Sequence, residues 1–225
     1  MYEWDDIVIV GDSWCSERDS LGHWPNSLLF ELTDITKGTP RGGGFRGCHW
    51  WSTRNCLFNE LKLKPAKVVI IVHTQASRIP SDTNRPFTLN NVYTQARLLK
   101  IKNPENRTIY QAAADYYKHL YSANFHDWAE RQWFIELDDF LEKKKIEKVI
   151  HLYGVSKHTE QKRKFNCGVT VNHSIHQYLT MNTENMFYPN HMTYENNQKM
   201  ALFLHKLIID YPGHGYLYEE RPFDK

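Results

Sequence analysis

Cysteine is sparse in this chain. Cys15, Cys48, Cys56 and Cys167 are scattered over 225 residues with no C-x-x-C pair. That spacing excludes a disulfide framework, and reduced thiols in a cytoplasm are the expectation. Net charge is also small. Twenty-eight basic and 26 acidic residues leave +2 with the twelve histidines neutral, and the basic residues form no stripe. No nucleic-acid partner is expected. No apolar run approaches membrane-spanning length, and Asp5 and Asp6 stand where a signal peptide would carry basic residues, so no membrane partner is expected either. The glycine-rich stretch Thr39 to Gly47 lacks the G-x-x-x-x-G-K-[ST] spacing of a nucleotide loop. Cys15 lacks a phosphatase arginine six residues on, where Leu21 stands, and reads as a packed thiol. No cofactor is expected. Internal repeats and low-complexity tracts are absent.

A chain of this length buries one core, so a single domain over residues 1–225 is expected. Apolar runs bounded by turn residues predict buried parallel strands at Ile7 to Val10, Val68 to Val72, Val149 to Tyr153 and Val169 to Val171, with a weaker one at Leu32 to Thr36. Helical periodicity marks Trp24 to Leu32, Trp50 to Leu63, Thr108 to Tyr121, Phe125 to Lys143 and Thr193 to Ile209. Alternating strands and helices predict an α/β fold, a three-layer α/β/α sandwich around a mostly parallel five-stranded sheet. Ile79 to Asn106, with three prolines, reads as a long excursion or lid holding a short helix from Asn91 to Leu99. The tail Tyr211 to Lys225 reads as a segment that wraps the domain or meets another subunit. Aromatic residues make up 14% of the chain and suit either core filling or sugar stacking.

Gly11-Asp12-Ser13-Trp14 follows the first apolar strand, which sets Ser13 at the carboxyl edge of the sheet, where open α/β folds bind ligands. Asp12 and Ser13 either cap the next turn or present a nucleophile with Asp12 in support. Gly42-Gly43-Gly44 precedes a predicted helix, as a linker or as bare amides for a reacting oxygen. His73-Thr74-Gln75-Ala76 ends the most apolar strand, so Gln75 is a structural amide or a donor in the same crevice. His191, in Pro189-Asn190-His191-Met192, sits on a late loop before the last helix and suits a general base.

This order of G-D-S, glycine, strand-end amide and late loop histidine resembles the SGNH hydrolases, or GDSL esterases, over most of the chain. The resemblance implies an SGNH or flavodoxin-like sheet, Ser13 as nucleophile, His191 as base, and Ser13, Gly43 or Gly44, and Gln75 as oxyanion donors. The chain departs from the family pattern in three blocks. Trp14 replaces the name-giving leucine, His73 and Gln75 stand where G-x-N-D has its glycine and asparagine, and Tyr188 occupies the acid position of D-x-x-H. Without that acid, His191 works in a dyad, takes another orienting group such as Glu184 or a main-chain carbonyl, or has lost catalysis.

The function this implies is hydrolysis of small-molecule or carbohydrate O-acyl esters. Its rival is an inactive binding or structural protein on the same fold, such as a virion component. The chain also resembles bacteriophage-encoded members of the family, which would place it in a host cytoplasm or virion. His173-x-x-His176 lacks carboxylate or thiolate partners at ligand spacing, so no metal is expected. Arg41, Arg46, Arg54 and Arg78 are either solvated rim residues or binders of an anionic substrate group. Lys143-Lys144-Lys145 reads as a cation cluster at a helix end.

Overall fold

In a computed structural model of the chain, the described residues are 6–12, 15, 40–44, 49–74, 77–79, 102–154, 164–175 and 194–219. They form β1 (Ile7–Gly11), β2 (Arg41–Gly44), α1 (Trp50–Leu63), β3 (Val68–His73), α2 (Pro104–His119), α3 (Ala123–Lys144), β4 (Lys148–Tyr153), β5 (Val169–Ser174), α4 (Tyr194–Ile209) and β6 (Tyr216–Tyr218). The strands make one sheet in the order β2-β1-β3-β4-β5-β6. Every neighbouring pair is parallel. The first five strands follow the 2-1-3-4-5 order of flavodoxin-like sheets, and β6 extends that sheet by one strand.

Among the described residues the sheet has six strands, where five were expected. Two short edge strands escape the hydropathy pattern. β2 is the glycine cluster itself, not a loop after a strand, and Gly42 and Gly43 adopt φ of 97° and 127°. Glycine is needed here for close approach. A Cβ on Gly44 would lie 2.1 Å from the Asp12 carbonyl oxygen. β6 is three residues of the predicted tail, hydrogen-bonded along β5. The predicted strand Leu32 to Thr36 and the helices Trp24 to Leu32 and Asn91 to Leu99 lie outside the described residues. Of the Ile79 to Asn106 excursion, only Ile79 and residues 102–106 are described.

The central strands carry side chains into both faces, which is why they read as unbroken apolar runs. Ile7, Ile9, Val68, Ile70, Val72, Ile150 and Leu152 pack against Met200, Ala201, Leu204, Leu207 and Ile208 of α4. The alternate residues Val8, Val10, Val69, Ile71 and Val149 meet Leu57 and Leu61 of α1 and Trp133, Phe134, Leu137 and Leu141 of α3. Arg41 ties β2 to this layer. Its guanidinium donates to the carbonyls of Glu60, Lys64 and Pro65, at 3.2, 3.1 and 2.9 Å, and so satisfies the end of α1.

The helix ends follow local capping chemistry. α2 starts a turn earlier than periodicity predicts, because Asn103 caps it and Pro104 opens its first turn. Ser122 caps α3, which closes with Lys143 and Lys144 in its last turn and Lys145 left-handed at φ 53°. No helix among the described residues is long and apolar enough to cross a membrane.

Candidate functional site

Beyond β1 the chain passes through Asp12, which is buried together with Arg78 from the segment after β3. The Arg78 Nη1 donates to Asp12 Oδ2 at 2.9 Å, with the two side chains 10% and 3% exposed. This pair bridges the carboxyl ends of β1 and β3. The turn is fixed from the other side by the Cys15 N–H, which donates to the Asp12 carbonyl at 3.0 Å. Cys15 is fully buried in the core, as a packed thiol should be. On the neighbouring strand the register sets Gly43 beside Val10 and Gly44 beside Gly11.

Helix α1 begins over the same edge. Thr53 is buried, and its hydroxyl approaches the Gly11 carbonyl at 3.5 Å. One turn earlier, His49 caps the helix. Its Nδ1 accepts the Trp51 N–H at 3.1 Å, which places the ring proton on Nε2. His49 is 3% exposed, and Nε2 has no hydrogen-bond partner among the described residues. Burial, aided by the nearby His126 and the Arg78 guanidinium, lowers His49 to about 3 and keeps it neutral. Helix α2 closes the edge through Tyr117, whose hydroxyl donates to the Ser77 carbonyl at 2.6 Å.

Below this edge β3 ends in a second polar layer. His73 Nε2 meets His151 Nδ1 at 3.0 Å, and His151 Nε2 meets the Cys167 carbonyl at 2.9 Å. The carbonyl can only accept, so His151 donates to it and accepts from His73. Both rings lie nearly parallel to the Phe165 ring, with centroids 4.9 and 3.7 Å away. Burial, with His151 adjacent, holds His73 far below its ordinary range. A narrow crevice lined by Trp50, Thr53, His73, Thr74, Glu130, Trp133 and Phe134 opens beside it. Glu130, desolvated there and close to Asp127, is raised to about 8.

The structure thus brings Asp12, Gly43 and Gly44 to one edge of the sheet. Ser13, Gln75 and His191 lie outside the described residues, as do Tyr188, Glu184 and Thr193. The arginines are engaged rather than waiting at a rim: Arg41 caps α1, Arg78 holds Asp12, and Arg54 pairs with Glu136. Arg46 is not among the described residues. His173 Nε2 contacts the Glu219 carbonyl at 2.8 Å. Among the described residues no group of three His, Cys, Asp or Glu side chains gathers as metal ligands.

Sequence reasoning passed over His49 and Glu130. His49 had one signal, its position directly before the predicted helix at Trp50, but histidine is not among the residues sought as caps. Comparison with protein-family models, with curated proteins and with solved structures finds no match to this chain.

Proposed function

We propose that the chain is a serine ester hydrolase of the SGNH type, acting on small or carbohydrate O-acyl esters at the carboxyl edge of β1 and β3. What carries the reading is the Asp12–Arg78 bridge at this edge, because the next residue after Asp12 is Ser13. In a 2-1-3 strand order the succession of strands across the sheet reverses at β1, and the crevice outside that strand end is where open α/β sheets bind ligands. Gly44, packed on the Asp12 carbonyl, brings a bare backbone to the same place. A three-layer α/β/α sandwich, with β6 as an added edge strand, is the fold that goes with this reading.

In the proposed reaction, His191 takes the proton of Ser13 as its oxygen attacks the ester carbonyl carbon. The oxyanion is held by donors from Ser13, Gly43 or Gly44, and Gln75. Its collapse breaks the acyl–oxygen bond, and the departing alkoxide takes the proton from His191. Water, deprotonated by His191, then attacks the acyl-enzyme and releases the carboxylic acid and Ser13.

The test is labelling by a fluorophosphonate probe and turnover of short-chain aryl esters, for wild type beside Ser13→Ala and His191→Ala. Labelling lost in Ser13→Ala and turnover lost in both variants are the expected results. A wild-type protein inert to the probe and to a broad ester panel would overturn the proposal and favour a binding or structural role.

A further inference from the structure

His49 meets the demands of a helix cap with one ring nitrogen and leaves the other uncommitted. Nδ1 accepts the Trp51 N–H, and the exit direction of Nε2 on the same ring diverges widely from that contact. Its N–H therefore faces away from the first turn of α1. The side chain is 97% removed from solvent by its own protein, yet the Nε2 donor has no partner among the described residues. A buried, unsatisfied donor gives up its hydration with nothing in return, so a fold that retains one needs an explanation.

The location supplies one. Thr53, one turn along α1, reaches the Gly11 carbonyl, so His49 lies further out, beyond the end of β1. Arg78, which grips Asp12, is close enough to act on the His49 ring electrostatically. Burial first, then the neighbouring His126 and the Arg78 guanidinium, hold the imidazole neutral, and the cap contact at Nδ1 leaves its proton on Nε2. Such a group is a fixed hydrogen-bond donor that stays uncharged across the ordinary pH range. It suits an oxygen that carries or develops negative charge, because it stabilises the charge without surrendering a proton to it.

We infer that His49 Nε2–H donates to an oxygen of the bound ligand at the carboxyl edge beside Asp12, the ligand being a carbonyl or carboxylate compound. Under the acyl-transfer reading, on which the identity of the ligand rests, that oxygen is the ester carbonyl oxygen as it becomes anionic. His49 is then a catalytic residue outside the nucleophile and base pair.

Two variants separate this role from capping alone. Asparagine is among the best N-caps, so His49→Asn preserves the cap through Oδ1 but withdraws the donor, because its shorter amide N–H does not reach the position of Nε2, whereas His49→Ala removes both. With p-nitrophenyl acetate as substrate, His49→Asn is expected to keep the wild-type melting temperature, lose on the order of 100-fold in kcat, and change KM little. Turnover of His49→Asn at the wild-type rate would reduce His49 to a cap and overturn the inference.

A second measurement does not need turnover. In ¹⁵N-labelled wild-type protein, long-range imidazole spectra should show His49 protonated at Nε2 from pH 5 to pH 8, and its Nε2–H proton should move downfield as sodium acetate is added. If the wild type hydrolyses no ester, the proposed function fails but a saturable acetate shift still supports the donor. A proton on Nδ1, or an Nε2–H resonance unmoved by acetate, would overturn it.

Discussion

The Asp12–Arg78 pair offers a direct measure of how the carboxyl edge is built. Its side chains are 3% and 10% exposed and meet at 2.9 Å, so neither charge has water to fall back on. Replacing Arg78 by Met keeps the length of the side chain but leaves a buried carboxylate without its cation. Breaking a buried pair from one side costs about 3–5 kcal/mol. Removing Asp12 by substitution with Asn strands the guanidinium and should cost a similar amount. Both side chains make further contacts, so neither single value isolates the bridge. The double variant does so, because the pair is already absent in each single variant. If the ion pair accounts for most of each loss, Asp12→Asn/Arg78→Met should be destabilised by less than the sum of the singles, with a coupling of about 2–3 kcal/mol. Urea unfolding of the four proteins, read from midpoints at constant m, measures this. The singles remain foldable if the parent has the usual stability of about 5–15 kcal/mol. Additive losses, with coupling below about 0.5 kcal/mol, would show that the two residues do not meet and would remove the bridge from the site.

Glu130 gives a pH signature of opposite sign to that of most carboxylates. Its folded value of about 8 lies above the ordinary 4.5, so the unfolded chain releases its proton first as pH rises. The Glu130 contribution to stability is therefore full below pH 4.5 and is lost towards pH 8, by about 3 kcal/mol at pH 7. Glu130→Gln, which cannot ionise, should lack that decline; thermal melts of both proteins from pH 4.5 to pH 8 check it, and parallel curves would refute the assignment. Gly168 has φ of 130°, and a Cβ there would come within 2.9 Å of the His151 ring and of the Val149 Cβ. Gly168→Ala should thus cost about 2–3 kcal/mol, from backbone strain and displacement of His151. A melting temperature equal to wild type would show that the histidine layer is not closed around that glycine.

Much of the architecture was legible because burial in a parallel sheet leaves a local trace. β1 and β3 are runs of Val and Ile, β4 and β5 carry shorter apolar stretches, and each predicted strand lies inside or on the observed one. Trp50–Leu63 matches its predicted helix at both ends, since Pro65 stops the periodicity. β2 and β6 left no such trace. Three glycines and a three-residue Tyr-Leu-Tyr strand become strands only because a neighbour offers its open edge.

The same division holds at the edge of the sheet. The sequence by itself determined that Gly11 and Asp12 leave a buried strand, because the apolar run and the glycine that ends it are contiguous. It did not determine that Arg78, 66 residues away, neutralises the aspartate of that turn. Nor did it show that His73 donates to His151, 78 residues away, or that His49 caps a helix over the same strand end. These partnerships depend on β3 lying between β1 and β4 and on α1 crossing the end of β1. Strand order and helix placement follow from how all the apolar faces close together, and no short window of residues contains that information.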